Sequence, residues 1–302
     1  MKRWSASNRL LNPKRICRHW KSSMTEVAPV VAFLGPLGTF SHAAVNQYFG
    51  DDESVGRHSV ATIDDVFLEV EAGKADYGVV PVENSTEGAV NTTLDCLMDT
   101  SLTIVGEVFL PIAHNLLVKD ASQLDSLRRI VSHKQSLGQC RLWLHANHPG
   151  IELVEVSSNA EAARLASEDP STAAIAGDIA AALYGLQIQA ANIHDRKSNT
   201  TRFLVLSRKH VTVPTGHDKT SILVYAENKP GALFRLLAPF DQYQVSLTRL
   251  ETRPARDDMW SYVFFIDFEG HNDDAAVRQV FKQLADCAVK IKNLGSYPRA
   301  TS

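Results

Sequence analysis

Between Val30 and about Ser207, short β-branched runs alternate with stretches whose apolar residues recur at helical spacing, the order expected of a layered α/β protein. Strands are predicted at 30–34, 77–82, 102–110, 129–132, 153–156, 173–176 and 202–207. Helices are predicted at 41–49, 63–72, 89–98, 135–145, 159–167 and 178–184, with Ser41, Asn159 and Asp178 as N-caps because short polar side chains satisfy the free N–H groups of a first turn. Two α/β layers of this kind, each with its own sheet, place strand-to-helix loops around a shared cleft.

The pattern breaks after Ser207. Residues 209–218 are polar and turn-rich and mark a domain boundary. Beyond it come a strand at 221–226, a turn at 228–231, a helix at 232–240, strands at 245–251 and 261–268 joined by a loop at 254–258, a helix at 274–286 and a strand at 289–294. That order, βαββαβ, is the ferredoxin-like arrangement. The expected division is therefore a basic leader at 1–28, a two-lobed α/β domain at 29–210 and a ferredoxin-like domain at 219–298.

Composition narrows the class. A chain of 302 residues suits two or three domains. A net charge of −3 spread without blocks offers no basic face for nucleic acid or an anionic membrane. Cys17, Cys96, Cys140 and Cys287 lie far apart with no Cys-x-x-Cys pair, so neither a disulfide framework nor a metal site is expected. No apolar run approaches the roughly 18 to 20 residues of a membrane span. The first 24 residues carry seven Lys or Arg, with no acid before Glu26. That is the composition of a transit peptide, a disordered basic leader or an over-extended start with Met24 as initiator, and the last two together are preferred. No apolar h-region follows the charges, so a cytoplasmic protein is expected.

Four strand-end loops carry candidate chemistry. Asn199-Thr200-Thr201-Arg202-Phe203 combines hydroxyls, a guanidinium able to fork onto a carboxylate and an aromatic wall at a rigid strand entry. Val82-Glu83-Asn84-Ser85-Thr86-Glu87-Gly88 leads from a strand into a helix start rich in free N–H groups. Gly35-Pro36-Leu37-Gly38-Thr39-Phe40-Ser41-His42 joins a strand to a helix through glycines but lacks the Lys-Ser/Thr ending of a nucleotide loop. In Ser132-His133-Lys134-Gln135, Ser132 and Gln135 are expected to face a ligand at the helix mouth, with Gln139 one turn further along the same face. Taken singly, the segment around Arg202 reads more readily as an ordinary strand entry and that around Ser85 as an ordinary helix cap.

Taken together and in this order, Gly35-Pro36-Leu37-Gly38-Thr39-Phe40-Ser41, Pro81-Val82-Glu83-Asn84-Ser85, Ser132-His133-x-Gln135 and Thr201-Arg202-Phe203 resemble the signature set of prephenate dehydratases. Asn228-Lys229-Pro230-Gly231-Ala232-Leu233 and Glu251-Thr252-Arg253-Pro254 are similar to the two halves of that family's phenylalanine-binding ACT domain. Thr252 stands where Ser is commoner, and Lys134 where Pro is.

The resemblance implies a catalytic domain of two lobes like type II periplasmic binding proteins, a C-terminal ACT domain and no cofactor. The implied reaction removes a ring hydroxyl and a carboxylate from prephenate to give phenylpyruvate. Thr201 is expected at the leaving hydroxyl and Arg202 on the pyruvyl carboxylate. Asn84, Ser85, Ser132, Gln135, Gln139 and Thr39 are expected to hold substrate, with Phe203 against its ring. His42, His114 and His133 compete for the acid's role and rank below Thr201. Asn228, Gly231, Ala232, Leu233, Glu251, Thr252 and Arg253 are expected to bind phenylalanine between ACT domains paired in a homo-oligomer. Residues 1–29 are too short to supply a fused chorismate mutase. Rival readings are an arogenate dehydratase, whose substrate carries an amine in place of the keto group, and a non-enzymatic solute receptor, which predicts export.

Overall fold

A computed structural model of the chain describes residues 28–300 except 52–53, 197, 209–212 and 255–261. The leader expected at 1–28 and most of the loop expected at 254–258 lie outside these residues. In chain order, the first lobe holds β1 (Val30–Leu34), α1 (Phe40–Phe49), β2 (Gly56–Val60), α2 (Ile63–Glu71), β3 (Tyr77–Asn84), β4 (Gly88–Ala89), α3 (Asn91–Asp99) and β5 (Thr103–Pro111). The second holds β6 (Asn115–Val118), β7 (Arg129–His133), α4 (Lys134–Gln139), α5 (Arg141–Asn147), β8 (Glu152–Val156), α6 (Asn159–Glu168), β9 (Thr172–Ala176), α7 (Asp178–Tyr184) and β10 (Gln187–Ala190). The chain then returns to the first lobe as β11 (Thr200–Ser207).

The first sheet has the order β2-β1-β3-β11-β5, with β4 on β3, and the second the order β10-β6-β9-β7-β8. β11 lies antiparallel between β3 and β5, so the returning strand starts where those two end. This brings the mouth of β11 to the edge shared with the second lobe. β12 (Asp218–Ala226), α8 (Ala232–Gln242), β13 (Leu247–Pro254), β14 (Tyr262–Glu269), α9 (Ala275–Cys287) and β15 (Lys290–Pro298) form a third, wholly antiparallel sheet of order β13-β14-β12-β15. The helices cover one face of it, and the other face packs on the first lobe. There Val80, Val82, Leu204 and Leu206 share one core with Val263, Phe265, Leu294 and Tyr297.

Several expected details shift for local reasons. The caps are Thr39, Ser158 and Gly177 rather than Ser41, Asn159 and Asp178. Ser158 earns its place because its hydroxyl reaches the N–H of Glu161 at 3.0 Å, three residues on. The expected helix at 135–145 is two helices that meet at Cys140, whose φ of −110° and ψ of 11° break the helical path. β2 and β10 escape a periodicity reading because they are mostly polar edge strands, and β6 because it is four residues long and buried throughout. Among the described residues no helix is long and apolar enough to cross a membrane.

Candidate active site and effector cavity

The register of β11 on β3 sets Thr201 opposite Asn84. Asn84 Oδ1 accepts from the main-chain N–H groups of Thr86 (2.8 Å) and Glu87 (3.0 Å). Those two donors leave the amide one orientation, so Asn84 Nδ2 donates, to Asn199 Oδ1 at 2.7 Å and to Thr201 Oγ1 at 2.8 Å. Thr201 is thus held as an acceptor, and among the described residues its own proton has no acceptor. Asn199 Nδ2 in turn donates to Gln139 Oε1 at 2.9 Å, and Gln139 Nε2 to Glu87 Oε1 at 3.1 Å. Gln139 ends α4 in the second lobe, so the network crosses the cleft and closes on the first lobe.

The seam between the lobes is tight. A Cβ added to Gly177 would lie 2.9 Å from the Phe40 ring. At Gly38, where φ is +89°, an added Cβ would be strained by the backbone and 3.2 Å from Leu183.

Other expected site residues are used differently. Arg202 neighbours Thr201 on a strand, where successive side chains point to opposite faces, so it turns away from the cleft. Its guanidinium meets Glu107 Oε2 at 2.8 Å, Asp267 Oδ2 at 2.5 Å and the Tyr297 hydroxyl at 2.9 Å. Lys219 completes the cluster on Glu107 at 2.8 Å. Burial acts to raise the Asp267 pKa, but the charge of Arg202 and hydrogen bonds from Ser221 and Arg202 outweigh it and hold the carboxyl below its ordinary value. Arg202 therefore ties the first lobe to the C-terminal sheet, and the expected clamp on a substrate carboxylate is corrected.

Ser132 is also corrected. It is fully buried and donates to the carbonyl of Ile175 at 2.6 Å, which leaves it no free face. Phe203 packs in the core with Phe33 and Val108. Thr39 caps α1, accepting from the His42 N–H at 3.4 Å and donating to the Pro36 carbonyl at 2.9 Å. Ser85 Oγ accepts from the Thr200 N–H at 3.0 Å at the rim, and Gln135 is exposed at the start of α4. The structure thus unites Thr201, Asn84 and Gln139 in one network. It adds Asn199, Glu87 and His114, which the motifs did not single out as a group because their partners lie far away in sequence.

A concavity of about 400 Å³ opens in the third sheet. Asn228, Gly231, Ala232, Leu233 and Thr252 line it, together with Phe234, Tyr262 and Phe264. Gly231, at φ +76°, starts α8 with no side chain to cap the first turn. Glu251 and Arg253 belong to the other face of β13. Arg253 donates to Asn91 (2.9 Å) and Asp95 (2.6 Å) on α3, and Arg249 meets Glu83 at 3.2 Å. Neither Glu251 nor Arg253 lines the cavity within one chain; their expected contact with an effector was one made across two paired ACT domains.

A family profile described as prephenate dehydratase matches residues 31–211, and one described as ACT domain matches 220–286. The chain belongs to the prephenate dehydratase family. A bifunctional chorismate mutase/prephenate dehydratase of Stutzerimonas stutzeri is 53% identical over 270 residues, covering 89% of this chain and 73% of its own length. Among solved structures, the prephenate dehydratase of Arthrobacter aurescens in complex with L-Phe aligns at a TM-score of 0.82 and 36% identity over 90% of each chain. A protein described as a novel type of quorum quenching acylase aligns at 0.81 and 30% identity, over 90% of this chain and 98% of its own.

Proposed function

We propose that this member of the prephenate dehydratase family converts prephenate to phenylpyruvate in a cytoplasmic setting and is inhibited by phenylalanine bound at its ACT cavity. The observation that carries the reading is Thr201, whose oxygen is held by Asn84 while its proton remains for a leaving hydroxyl. Loss of the ring carboxylate as CO2 sends its C–C electrons into the ring as the hydroxyl departs, and aromatisation drives the step. Thr201 is a weak acid, so it donates a strong hydrogen bond to the departing oxygen, whose final proton comes from solvent. With Arg202 committed to the domain interface, the substrate's carboxylates fall to the amides and main-chain donors of the loops.

Acyl transfer, the activity named for one structural neighbour, fits less well. It needs a nucleophile paired with a base, and Thr201 is bonded to an amide while the nearby His114 is bonded to Gln139. The exposed Leu233, Phe234, Leu250 and Tyr262 around the cavity support pairing of ACT domains in a homo-oligomer.

Purified enzyme should release phenylpyruvate from prephenate, and Thr201→Ala should lower kcat about 10²- to 10⁴-fold with KM little changed. Near-normal turnover of that variant would remove Thr201 from the mechanism. A higher kcat/KM on arogenate than on prephenate would reassign the substrate.

A further inference from the structure

His114 sits on the first of the two crossings between the lobes, 2% exposed, with its ring edge-on to Phe40 at 5.6 Å and to His194 at 6.3 Å. Its main-chain carbonyl accepts from Ile193 on the second crossing at 2.8 Å, so the imidazole is anchored where both connections meet. Its Nε2 lies 2.8 Å from Gln139 Oε1. That oxygen already accepts from Asn199 Nδ2, and Gln139 Nε2 is committed to the acceptor-only carboxylate of Glu87. Oε1 is therefore an acceptor towards His114, and the imidazole must carry its proton on Nε2. Nδ1 is buried with no hydrogen-bond partner among the described residues. A second proton there would place an unpaired charge in the protein interior.

We propose that His114 is a positioning residue for the reaction, a neutral Nε2–H donor that holds Gln139 across the lobe seam and through it keeps Asn199 seated on Asn84 Nδ2, so that the Thr201 proton is left for substrate. The inference rests on the dehydratase reading above. The network has three fixed points. Main-chain N–H groups pin Asn84, Glu87 pins the amide nitrogen of Gln139, and His114 pins its oxygen from the hinge side. Without the imidazole donor, Gln139 keeps its charge partner but loses the contact that seats it against the crossing. The amide of Asn199, no longer tied at its nitrogen, then samples orientations in which its Oδ1 leaves Asn84 Nδ2 and accepts the Thr201 proton instead, while Asn84 itself stays pinned at its oxygen. Burial pushes the His114 pKa down against the raising effect of the hydrogen bond it donates to Gln139, in keeping with a group that works uncharged.

His114→Phe keeps the ring packing and removes the donor, and kcat on prephenate should fall about 10- to 100-fold, the cost of leaving a buried hydrogen-bonding group unmatched. KM and half-inhibition by phenylalanine should stay near the parent values. His114→Gln places an amide N–H where Nε2 was and should recover most of the loss. The double variant with Gln139→Ala should be no slower than Gln139→Ala alone, because His114 acts only through that side chain. Additive losses in the double variant, a change confined to KM, or wild-type turnover in His114→Phe would each overturn the proposal. If His114→Phe does not fold, His114→Gln decides, and a loss as large as that of Gln139→Ala overturns it. A parent enzyme inactive on prephenate would instead remove the dehydratase reading itself.

Discussion

Two neighbouring residues, Thr201 and Arg202, divide the labour of β11 because a strand sends them to opposite faces. One hydroxyl serves the cleft, and one guanidinium serves the domain interface. Their co-occurrence was legible in the sequence, but the direction of each side chain was not, since the partners of Arg202 lie 95 and 65 residues away. Histidine behaves similarly. Burial lowers the pKa of both His42 and His114, with Arg57 adding to the effect at His42 against a raising contribution from Asp51, and His194 adding to it at His114 against the Gln139 hydrogen bond. The unfolded chain therefore binds more protons than the native one just below the ordinary histidine value of about 6.5, so stability rises with pH through that window. Thermal melts should show Tm falling as pH drops below about 6.5, and replacing either histidine with a neutral residue that folds should flatten the slope.

At the scale of elements, β13 is the informative case. Its alternation sets Thr252 on the cavity of the third sheet while Arg249 and Arg253 reach the first lobe, at Glu83 beside Asn84 and at Asp95 on α3. The same period of two that hid the role of Arg202 makes this strand a two-sided contact, which a motif read as one binding segment cannot reveal. Arg253→Ala should keep phenylalanine binding measurable by calorimetry while raising the activity that remains at saturating phenylalanine. Coupling between such sites is typically about 1 to 3 kcal/mol, and losing part of it is readable in an inhibition curve. Unchanged residual activity would place the coupling elsewhere. Strand and helix order along the chain was well read from periodicity, because long amphipathic stretches carry a strong signal. β2, β6 and β10 were missed because polar edges and short buried runs carry none, and the two-residue β4 fell at the start of the helix expected from 89.

Across the whole molecule, the sequence boundary after Ser207 is not a boundary in packing. Glu107, Arg202, Lys219 and Asp267 form one buried ion cluster, roofed by Tyr297 and contiguous with a shared hydrophobic core. Arg202→Met would leave two carboxylates facing a single cation in the interior, at a cost of about 3 to 5 kcal/mol. Calorimetry should show a lower Tm with catalytic and ACT domains still melting in one transition. Two separated transitions would mean that the interface is not cooperative. The polar stretch at 209–218 was read as a domain boundary, but composition alone gives no sign that the segments on its two sides share a core, because those contacts join distant residues.

The second lobe is spliced into the first, between β5 and β11. A ribosome emitting this chain therefore releases the opening lobe without the strand that belongs between β3 and β5, and supplies it only after residues 112–199 have emerged. The lobe made later is the earlier one able to close, while its elder waits with a gap in its sheet for a piece of backbone not yet synthesised.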